Sequence, residues 1–399
     1  MHILLIHQAF AAVNEPGGTR HHELARYLVQ RGHRVTIIAS SVSYITGAAP
    51  PKLSDEQDEG ITIIRAYVYQ AHHKSFVHRV FAFVSFMVSS FMMGLRIKNV
   101  DLIWGTSPPI FQGITAWSLS RLKRIPFLFE VRDLWPAFAI SVGVLKNGML
   151  IRVSEWLERF LYRSADRVMV NSPAYVEHVR GLGAKRVELL PNGADSGMFD
   201  PAKKGAFFRE SHSLKSKFVV LYAGAHGMSN DLGVVLDAAK IVEDDPNIQI
   251  VLLGDGKEKP NLQAQAAEMG LKNLSFISSV PKTEMAEALA ATDACIAILK
   301  SIEMYKTTYP NKVFDYMAAG RPVVLAIDGV IREVVEAAEC GIFADPGDAT
   351  ALANAIKTLA ADPARSQEMG LSGRRYIEEH FDRAALAEQL MGILEEMVN

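Results

Sequence analysis

The chain contains 399 residues, of which 49% are hydrophobic and 22% are charged, with a formal net charge of -2. This length exceeds one ordinary hydrophobic core, so two domains are expected. The chain has two cysteines, Cys295 and Cys340, and no His/Cys cluster at metal-ligand spacing. The composition therefore argues against a disulfide-stabilised secreted protein and a structural metal, and it favours a reducing, cytoplasmic compartment.

The charges are distributed unevenly along the chain. Residues 1–186 contain 22 Lys and Arg against 13 Asp and Glu, a net charge of +9, whereas the remaining residues carry -11. A basic amino-terminal half indicates an acidic partner, which could be nucleic acid, an anionic membrane surface or a phosphorylated acceptor. Nucleic acid is the least favoured of the three, because the basic residues are scattered and no nucleic-acid-binding motif accompanies them.

Strand-length apolar runs alternate with helical patterns through the first half of the chain. The first ten residues lack the basic region, apolar region and cleavage site of a signal peptide, so they predict a first strand. A helix is predicted near residues 19–31. Further strands are predicted at residues 34–40, 60–69, 101–107, 126–133, 167–172 and 187–192.

The same alternation begins again in the second half. Strands are predicted at residues 218–224, 248–256, 274–280, 294–299, 322–327 and 340–346, with helices near 230–243, 260–269, 282–291 and 311–319. Such a pattern is typical of a parallel sheet with helices on both faces, so the sequence predicts an α/β protein of two Rossmann-like, doubly wound domains. Because ligands bind outside the carboxyl ends of such strands, the two domains are expected to face a central cleft.

The turn-rich peptide Pro191–Asp195 marks the predicted domain boundary. The predicted domains cover residues 1–192 and 193–373. Residues 374–399 follow as a helical tail.

The segment Tyr309–Val324 combines a polar loop, a short amphipathic helix and an apolar strand. Asn311, Lys312 and Asp315 cluster around the first helical turn, where free N–H groups and the helix dipole favour an anion. A lysine suits phosphate, and a carboxylate suits a ribose diol. The segment therefore predicts a nucleotide-sugar pocket, with an ordinary helix start as the alternative.

A glycine-containing loop, residues 16–19, follows the first strand. Gly17 and Gly18 permit close approach of the backbone to a phosphate or sugar, and Thr19 is predicted to cap the helix that follows. The loop lacks the GxGxxG pattern, which argues against a dinucleotide oxidoreductase.

The apolar segment Val80–Leu95 is flanked by His78, Arg79, Arg96 and Lys98. It is shorter than the ~20 residues of a membrane-spanning helix. Three interpretations remain, namely a buried helix of the first domain, an interfacial helix that dips into a bilayer, and a true membrane span.

Four motifs in this order resemble those of the retaining family 4 glycosyltransferases with the GT-B fold. They are GGTRHHELARYL at 17–28, PNGAD at 191–195, LGDG at 253–256 and PNKVFDYMAAGRPVV at 310–324. The resemblance covers almost the whole chain. With EVRDLWP at 130–136, it is most similar to the branch that builds bacterial O-antigens and capsules, including the N-acetyl-L-fucosamine transferase.

The resemblance implies a UDP-sugar donor, no cofactor and no metal. It assigns donor binding to Gly17, Gly18, Gly224, His226, Gly227, Asn230, Gly254, Asp255, Val280, Pro281, Asn311, Lys312 and Asp315. It assigns catalysis to Arg132, Asp133 and Lys312, and the acceptor side to Arg20, His21 and Trp135. It also implies that the C-terminal helix crosses back to the first domain. For the Gly254–Gly256 turn, a plain strand-to-helix connection is the alternative.

The chain departs from the family pattern at three places. Arg132 and Asp133 stand where relatives often carry a His-Asp pair, and a buried ion pair between these two residues is the structural alternative to a catalytic role. The loop at 222–230 lacks the Arg and Lys that neutralise the diphosphate, so Lys312 is expected to supply the cation. Thr307 stands where the family has the first of two glutamates, and residues 305–309 are expected to take over sugar recognition.

The expected function is retaining transfer of a sugar to a lipid-linked or oligosaccharide acceptor in bacterial surface polysaccharide biosynthesis. The sugar is expected to be an N-acetylated hexosamine or a 6-deoxyhexosamine. A polyprenyl-diphosphate-linked acceptor fits a peripheral position at the inner face of the cytoplasmic membrane, and nucleic acid is not an expected partner. The alternatives are a UDP-sugar 2-epimerase of the same architecture and a non-catalytic nucleotide-sugar-binding protein.

Overall fold

The computed structural model describes residues 1–15, 17–42, 56–70 and 76–399, and Pro16 of the first glycine loop lies outside these ranges. The chain divides into two compact units. Unit 1 comprises Met1–Ala12, Gly17–Pro191 and Ala384–Asn399, and unit 2 comprises Val13–Pro16 and Asn192–Arg383. Each unit is built around its own parallel sheet, which confirms the predicted pair of Rossmann-like folds.

The elements of unit 1 alternate between strand and helix. They are β1 (His2–Ile6), α1 (Arg20–Gln30), β2 (Arg34–Ser40), β3 (Glu56–Asp58), β4 (Ile61–Ala66), α2 (Phe76–Arg96), β5 (Leu102–Ser107), α3 (Phe111–Lys123), β6 (Phe127–Val131), α4 (Ala137–Ser141), α5 (Gly148–Ser164), β7 (Arg167–Val170), α6 (Tyr175–Gly181) and β8 (Val187–Leu189).

The sheet of unit 1 has the strand order β3-β4-β2-β1-β5-β6-β7-β8. Only the short edge strand β3 is antiparallel among the strands described. Strands β1, β5, β6 and β7 are buried along their whole length. Their nearly continuous apolar sequences follow from this, because helices cover both faces of a doubly wound sheet.

Unit 2 repeats the alternation. Its elements are α7 (Ala206–Ser211), β9 (Phe218–Ala223), α8 (Leu232–Ile241), β10 (Ile248–Leu253), α9 (Lys259–Glu268), β11 (Leu274–Ile277), α10 (Lys282–Ala290), β12 (Ala294–Ile298), α11 (Asn311–Ala318), β13 (Val323–Ala326), α12 (Val330–Ala337), β14 (Gly341–Phe343), α13 (Ala349–Ala361) and α14 (Pro363–His380). The last helix of the chain, α15, spans Arg383–Val398.

The sheet of unit 2 has the order β11-β10-β9-β12-β13-β14, and all its described pairings are parallel. The strand order therefore reverses between β9 and β12. In open α/β sheets this switch point, outside the carboxyl ends of the strands, is where ligands bind.

The tail forms two helices, although a single helical segment was predicted from Arg374 onward. The helix is interrupted at Phe381 and Asp382, whose backbone joins that of Ala194: the Ala194 N–H bonds to the Phe381 carbonyl at 3.2 Å, and the Arg383 N–H bonds to the Ala194 carbonyl at 2.9 Å. After this interruption α15 belongs to unit 1. Its inward side chains, Leu386, Ala387, Leu390 and Leu394, are part of the unit 1 core.

Helix α2 contains the apolar segment Val80–Leu95. One side of the helix is buried through Ala82, Phe86 and Ser90. The opposite side exposes Phe81, Val84, Val88, Met92 and Leu95. Among the described helices, none combines the length and the apolar composition that crossing a bilayer requires. The helix is therefore neither wholly buried nor a membrane span within the residues described.

Candidate functional site

Most of the predicted donor-binding residues lie in unit 2 after the carboxyl ends of its strands. Gly224, His226, Gly227 and Asn230 follow β9, Gly254 and Asp255 follow β10, and Val280 and Pro281 follow β11. Asn311, Lys312 and Asp315 lie on α11, which connects β12 to β13. Since the strands are parallel, these connections lie at the same edge of the sheet, beside the switch point.

Lys312 lies against the end of β9. Its Nζ donates to the Tyr222 hydroxyl at 2.8 Å and approaches Asn230 Oδ1 at 3.4 Å. The same ammonium lies 4.0 Å above the centre of the Tyr222 ring. Burial lowers the pKa of Lys312 to about 7. No carboxylate within the described residues forms an ion pair with it, so an anionic ligand would find an uncompensated cation here.

Gly224 leaves the space for this ammonium, and Gly254 in turn packs against Gly224. A Cβ at Gly224 would lie 2.9 Å from Lys312 Nζ, so a side chain there would displace the cation. A Cβ at Gly254 would lie 1.8 Å from the Gly224 carbonyl oxygen. Both residues have φ of +149°, a conformation that residues with a side chain rarely adopt. The β9–α8 and β10–α9 connections therefore pack backbone against backbone.

The side chain of His226 is fully buried beneath these turns. Its backbone joins the neighbouring turn, with its N–H on the Asp255 carbonyl at 2.9 Å and its carbonyl accepting from the Glu258 N–H at 3.0 Å. Burial, aided by the Lys259 ammonium, lowers the pKa of His226 to about 4, so the ring is neutral. The resemblance implied that His226 contacts the donor. A direct contact by the imidazole is not supported by the structure, because the ring has no exposed surface.

The Asp255 side chain links the turn after β10 to the segment after β11 by hydrogen bonds. Its carboxylate accepts from Lys259 Nζ, from the Ser279 N–H and from the Ser279 hydroxyl, each at 2.7 Å. Burial alone would raise the pKa of Asp255, but these hydrogen bonds and the Lys259 charge lower it. The carboxylate is thus engaged in holding the turn, which agrees with the strand-to-helix alternative more than with donor binding by this side chain.

Asp315 makes an ion pair that the sequence analysis missed. Lys282 Nζ lies 2.5 Å from Asp315 Oδ2, and the two side chains are only 8% and 13% exposed. Asn311 Nδ2 approaches the same carboxylate oxygen at 3.4 Å. The sequence analysis named Val280 and Pro281 as donor-binding residues but not Lys282. The usable signal was Lys282 itself, a cation at the first position of a helix that follows a strand end.

Unit 1 holds a second group of predicted residues. Gly17 and Gly18 lie in an exposed loop before α1, and a Cβ at Gly18 would meet nothing within 4 Å. Thr19 does not cap α1 with its hydroxyl; the hydroxyl donates to Glu23 Oε1 at 2.5 Å instead. The predicted cap is therefore corrected.

Arg20 and His21, predicted on the acceptor side, are buried around Glu130. Arg20 donates to Glu130 Oε1 at 3.1 Å and to the carbonyls of Leu190 and Pro191 at 2.8 and 2.6 Å. His21 Nε2 lies 2.5 Å from Glu130 Oε2. Burial would raise the pKa of Glu130, but His21 and Arg20 hold it well below its usual range. Direct acceptor binding by Arg20 and His21 is corrected, because the two residues are buried, at 5% and 1% exposure.

Arg132 and Asp133 follow the carboxyl end of β6, and both side chains are partly exposed. Arg132 Nη1 donates to His7 Nε2 at 3.1 Å, a partner that sequence reasoning missed. Because a guanidinium can only donate, the buried His7 ring accepts and is neutral. Burial raises the pKa of Asp133 to about 6, although Arg132 opposes the shift. A carboxyl group with this pKa can accept or release a proton near neutrality.

Trp135 lies two residues beyond Asp133 and is partly exposed. Its ring centre lies 6.1 Å from that of Phe111, at the start of α3. Among the described residues, no group of three or more His, Cys, Asp or Glu side chains has the geometry to hold a metal ion.

Comparison with known proteins gives a consistent family assignment. Residues 17–193 match the family model described as glycosyl transferase 4-like domain, and residues 204–376 match the one described as glycosyl transferases group 1. A protein named as the colanic acid biosynthesis glycosyl transferase WcaI of Escherichia coli (strain K12) is 24% identical over 320 residues, which are 77% of this chain and 78% of that protein.

Solved structures support the same fold. The sucrose-phosphate synthase of Thermosynechococcus elongatus superposes with a TM-score of 0.77 at 21% identity, over 99% of this chain and 98% of that one. Anabaena Alr3699/HepE in complex with UDP-glucose superposes with a TM-score of 0.76 at 19% identity, over 99% of this chain and all of that one.

Proposed function

Because the chain belongs to the family 4 glycosyltransferases of GT-B fold, we propose that it transfers a sugar from a UDP-sugar to a lipid-linked or oligosaccharide acceptor, with retention and without a metal. We further propose that the product is a bacterial surface polysaccharide of the O-antigen or capsule type. The family models identify a transferase, and they do not favour the epimerase or the purely binding alternative.

One observation carries the proposed donor site. Lys312 presents an ammonium without a carboxylate partner, at the switch point of unit 2 and beside two glycine turns. This arrangement is suited to the leaving diphosphate, because a preorganised cation stabilises charge where it develops. The relative HepE was solved with UDP-glucose, which supports a uridine nucleotide as the ligand class.

The proposed reaction breaks the bond between the anomeric carbon and the diphosphate oxygen, and forms the bond to the acceptor oxygen on the same face of the sugar. The acceptor proton passes to the leaving phosphate oxygen. Lys312 stabilises the departing charge. In unit 1, Arg132 and Asp133 are the proposed catalytic residues that can hydrogen-bond an acceptor hydroxyl. Asp315 accepts from the ribose after exchanging part of its contact with Lys282. The sugar is proposed to be an N-acetylated hexosamine or a 6-deoxyhexosamine.

Apolar surface on unit 1 supports a peripheral position at an anionic membrane. Helix α2 exposes the five apolar side chains of one stripe, and α5 exposes a second stripe at Met149, Leu150, Val153 and Trp156. Both helices lie in the half of the chain with a net charge of +9. Amphipathic helices of this kind lie in the membrane interface, and basic residues add attraction to anionic lipids.

The donor proposal is tested by the thermal shift with UDP, GDP, ADP and dTDP, each with and without magnesium. A ligand that binds only the native state raises stability by RT ln(1 + [L]/Kd). We expect a metal-independent shift that is largest with UDP and much reduced in Lys312→Ala. Lys240→Ala is the control, since Lys240 is an exposed lysine of α8. Equal shifts in Lys312→Ala and the unchanged chain would refute the assigned cation.

A further inference from the structure

A separate cavity of about 540 Å³ lies in unit 1 at the amino-terminal ends of β6, β7 and β8. Four arginines line it, Arg121, Arg124, Arg167 and Arg186, together with the acids Asp166 and Glu396. Arg132 and Asp133 lie at the other end of β6, so this cavity is not part of the site described above. Its volume is within the range of small-molecule sites, about 300–1,000 Å³.

One of the four arginines is already neutralised. Arg167 is nearly buried, and it donates to Glu188 Oε1 at 2.9 Å and to Glu396 Oε2 at 2.6 Å. Asp166 is also engaged, because its Oδ2 accepts from the Phe127 N–H at 2.9 Å. Glu396 is therefore paired with Arg167, whereas Asp166 holds the start of β6 and keeps its negative charge beside the cavity.

The other three arginines are exposed and, in the part of the chain that the structure describes, form no ion pair. Arg121 donates to the Ser164 carbonyl at 2.8 Å, which leaves its charge uncompensated. The negative end of the α3 dipole accounts for cations at Arg121 and Arg124. It does not account for Arg186, which comes from the strand edge before β8. Like charges from separate elements around one cavity are stabilised when an anion binds between them.

The backbone of Arg124 has a conformation that favours glycine. It ends α3 in the left-handed conformation, with φ of 57° and ψ of 46°. Glycine is the usual residue there, since any side chain costs about 1 kcal/mol or more. Arg124 is one of six described non-glycine residues with positive φ, and this conformation ends α3.

We propose that this cavity is an additional anion site of unit 1 that binds a phosphate group, held by Arg121, Arg124 and Arg186. Guanidinium groups suit phosphate because they form paired, charge-assisted hydrogen bonds. The phosphate can belong to a free phosphorylated molecule or to the headgroup of an anionic lipid. Glu396 opposes binding, because it competes for Arg167 and adds negative charge. The proposal does not depend on the proposed transferase reaction.

The test uses the full chain carrying Lys312→Ala, which removes the cation of the proposed donor site. Pyrophosphate is titrated by calorimetry at constant ionic strength set with sodium chloride. We expect saturable binding that is about tenfold weaker in Arg186→Gln and in Arg124→Gly, because each loses a charge-assisted hydrogen bond. Arg375→Gln, an exposed arginine of α14 in unit 2, is the matched control.

Arg124→Gly and Glu396→Gln distinguish a loss of binding at this cavity from a loss of folding. Arg124→Gly should retain or raise the melting temperature without ligand, because glycine adopts the left-handed conformation readily, so weaker binding could not be attributed to unfolding. Glu396→Gln should tighten binding. A heat that Arg124→Gly, Arg186→Gln and Glu396→Gln all leave unchanged would exclude a free phosphorylated ligand at these arginines.

A second arm identifies the source of the phosphate. Vesicles of phosphatidylglycerol and of phosphatidylcholine are sedimented with the same variants. Arginine-dependent binding to phosphatidylglycerol vesicles alone assigns the site to a lipid headgroup, whereas arginine-dependent binding of pyrophosphate assigns it to a free phosphorylated ligand. Absence of arginine-dependent binding in both arms overturns the site.

Discussion

The lowered pKa of Lys312 is a property of the proposed donor site that can be tested directly. Its pKa of about 7 reflects burial beside the Tyr222 ring without a carboxylate partner. A bound diphosphate would favour the charged form and raise this pKa. Nucleotide binding should therefore take up a proton when the pH lies above the pKa of the free protein.

We predict uptake of about one proton per UDP bound at pH 8 and almost none at pH 6, where Lys312 is already charged. The affinity should fall by up to about tenfold per pH unit above pH 7. Calorimetry in buffers of different ionisation enthalpy measures the uptake. Lys312→Met in the same buffers subtracts the ionisation of the nucleotide itself. Uptake that persists in this variant would show that another group takes the proton.

Asp133 allows a prediction from its raised pKa. The carboxyl group titrates near pH 6 in the native protein and near 3.9 in an unfolded chain. The native state therefore disfavours the ionised form, and the contribution of this residue to stability falls as the pH rises from about 4 to about 6. Above pH 6 the loss is complete.

Asp133→Asn should consequently raise the melting temperature more at pH 7.5 than at pH 5, while lowering transfer activity. Thermal unfolding followed by circular dichroism at the two pH values measures the difference. Asp244→Asn, at an exposed position of unit 2, should change neither value appreciably. An equal gain at both pH values would contradict the raised pKa.

Helix α2 has one buried face and an opposite apolar face that is exposed. Ala82, Phe86 and Ser90 pack inward, while Phe81, Val84, Val88, Met92 and Leu95 form an exposed apolar stripe. Spacings of three, four and seven residues place the exposed set on one face. Sequence periodicity alone left this helix open to three interpretations, because apolar residues occur on both faces.

We predict that Val88→Ser with Met92→Ser weakens binding to vesicles containing phosphatidylglycerol by at least about tenfold, since the two substitutions remove several apolar groups and each buried methylene is worth about 0.8 kcal/mol. Stability should change little, because both side chains are exposed in the free protein. Co-sedimentation measures binding, and Leu371→Ser, an exposed leucine of unit 2, is the control. No difference between the two variants would remove α2 from the proposed membrane contact.

At the scale of the whole molecule, the end of the chain completes the core of its beginning. Helix α15 supplies Leu386, Leu390 and Leu394 to the same core as Leu24 and Leu28 of α1. Arg167 at the start of β7 pairs with Glu396 near the C-terminus. The core of unit 1 therefore combines residues that are far apart in the sequence, and it includes side chains of α15.

We predict that Leu390→Ala costs unit 1 about 2–5 kcal/mol, the range for truncating a buried leucine. All four tryptophans of the chain, Trp104, Trp117, Trp135 and Trp156, lie in unit 1. Their fluorescence during urea unfolding therefore reports this unit, and its midpoint should move to lower urea. Leu371→Ala in unit 2 should leave that midpoint in place, and a shift of equal size in both variants would contradict the assignment of α15.

Local sequence patterns were sufficient to predict the fold class. Strand-length apolar runs separated by amphipathic segments have one stable solution, parallel sheets covered by helices, and the two observed sheets confirm it. The positions of Gly224 and Gly254 after strand ends and of Lys312 in the first turn of α11 were also predictable, because parallel strands bring their carboxyl ends to one edge. These properties depend on local patterns and on chain order.

The partners of the polar side chains could not be predicted from local patterns, because they depend on tertiary packing. Lys282 meets Asp315, Arg132 meets His7, and Arg20 meets Glu130 across 33, 125 and 110 residues of sequence. His226 proved to be buried rather than available to a ligand. Partners and burial arise from the packing of distant elements, and a charged side chain changes role with both, since desolvation and neighbouring charge set its pKa and its remaining hydrogen-bonding capacity.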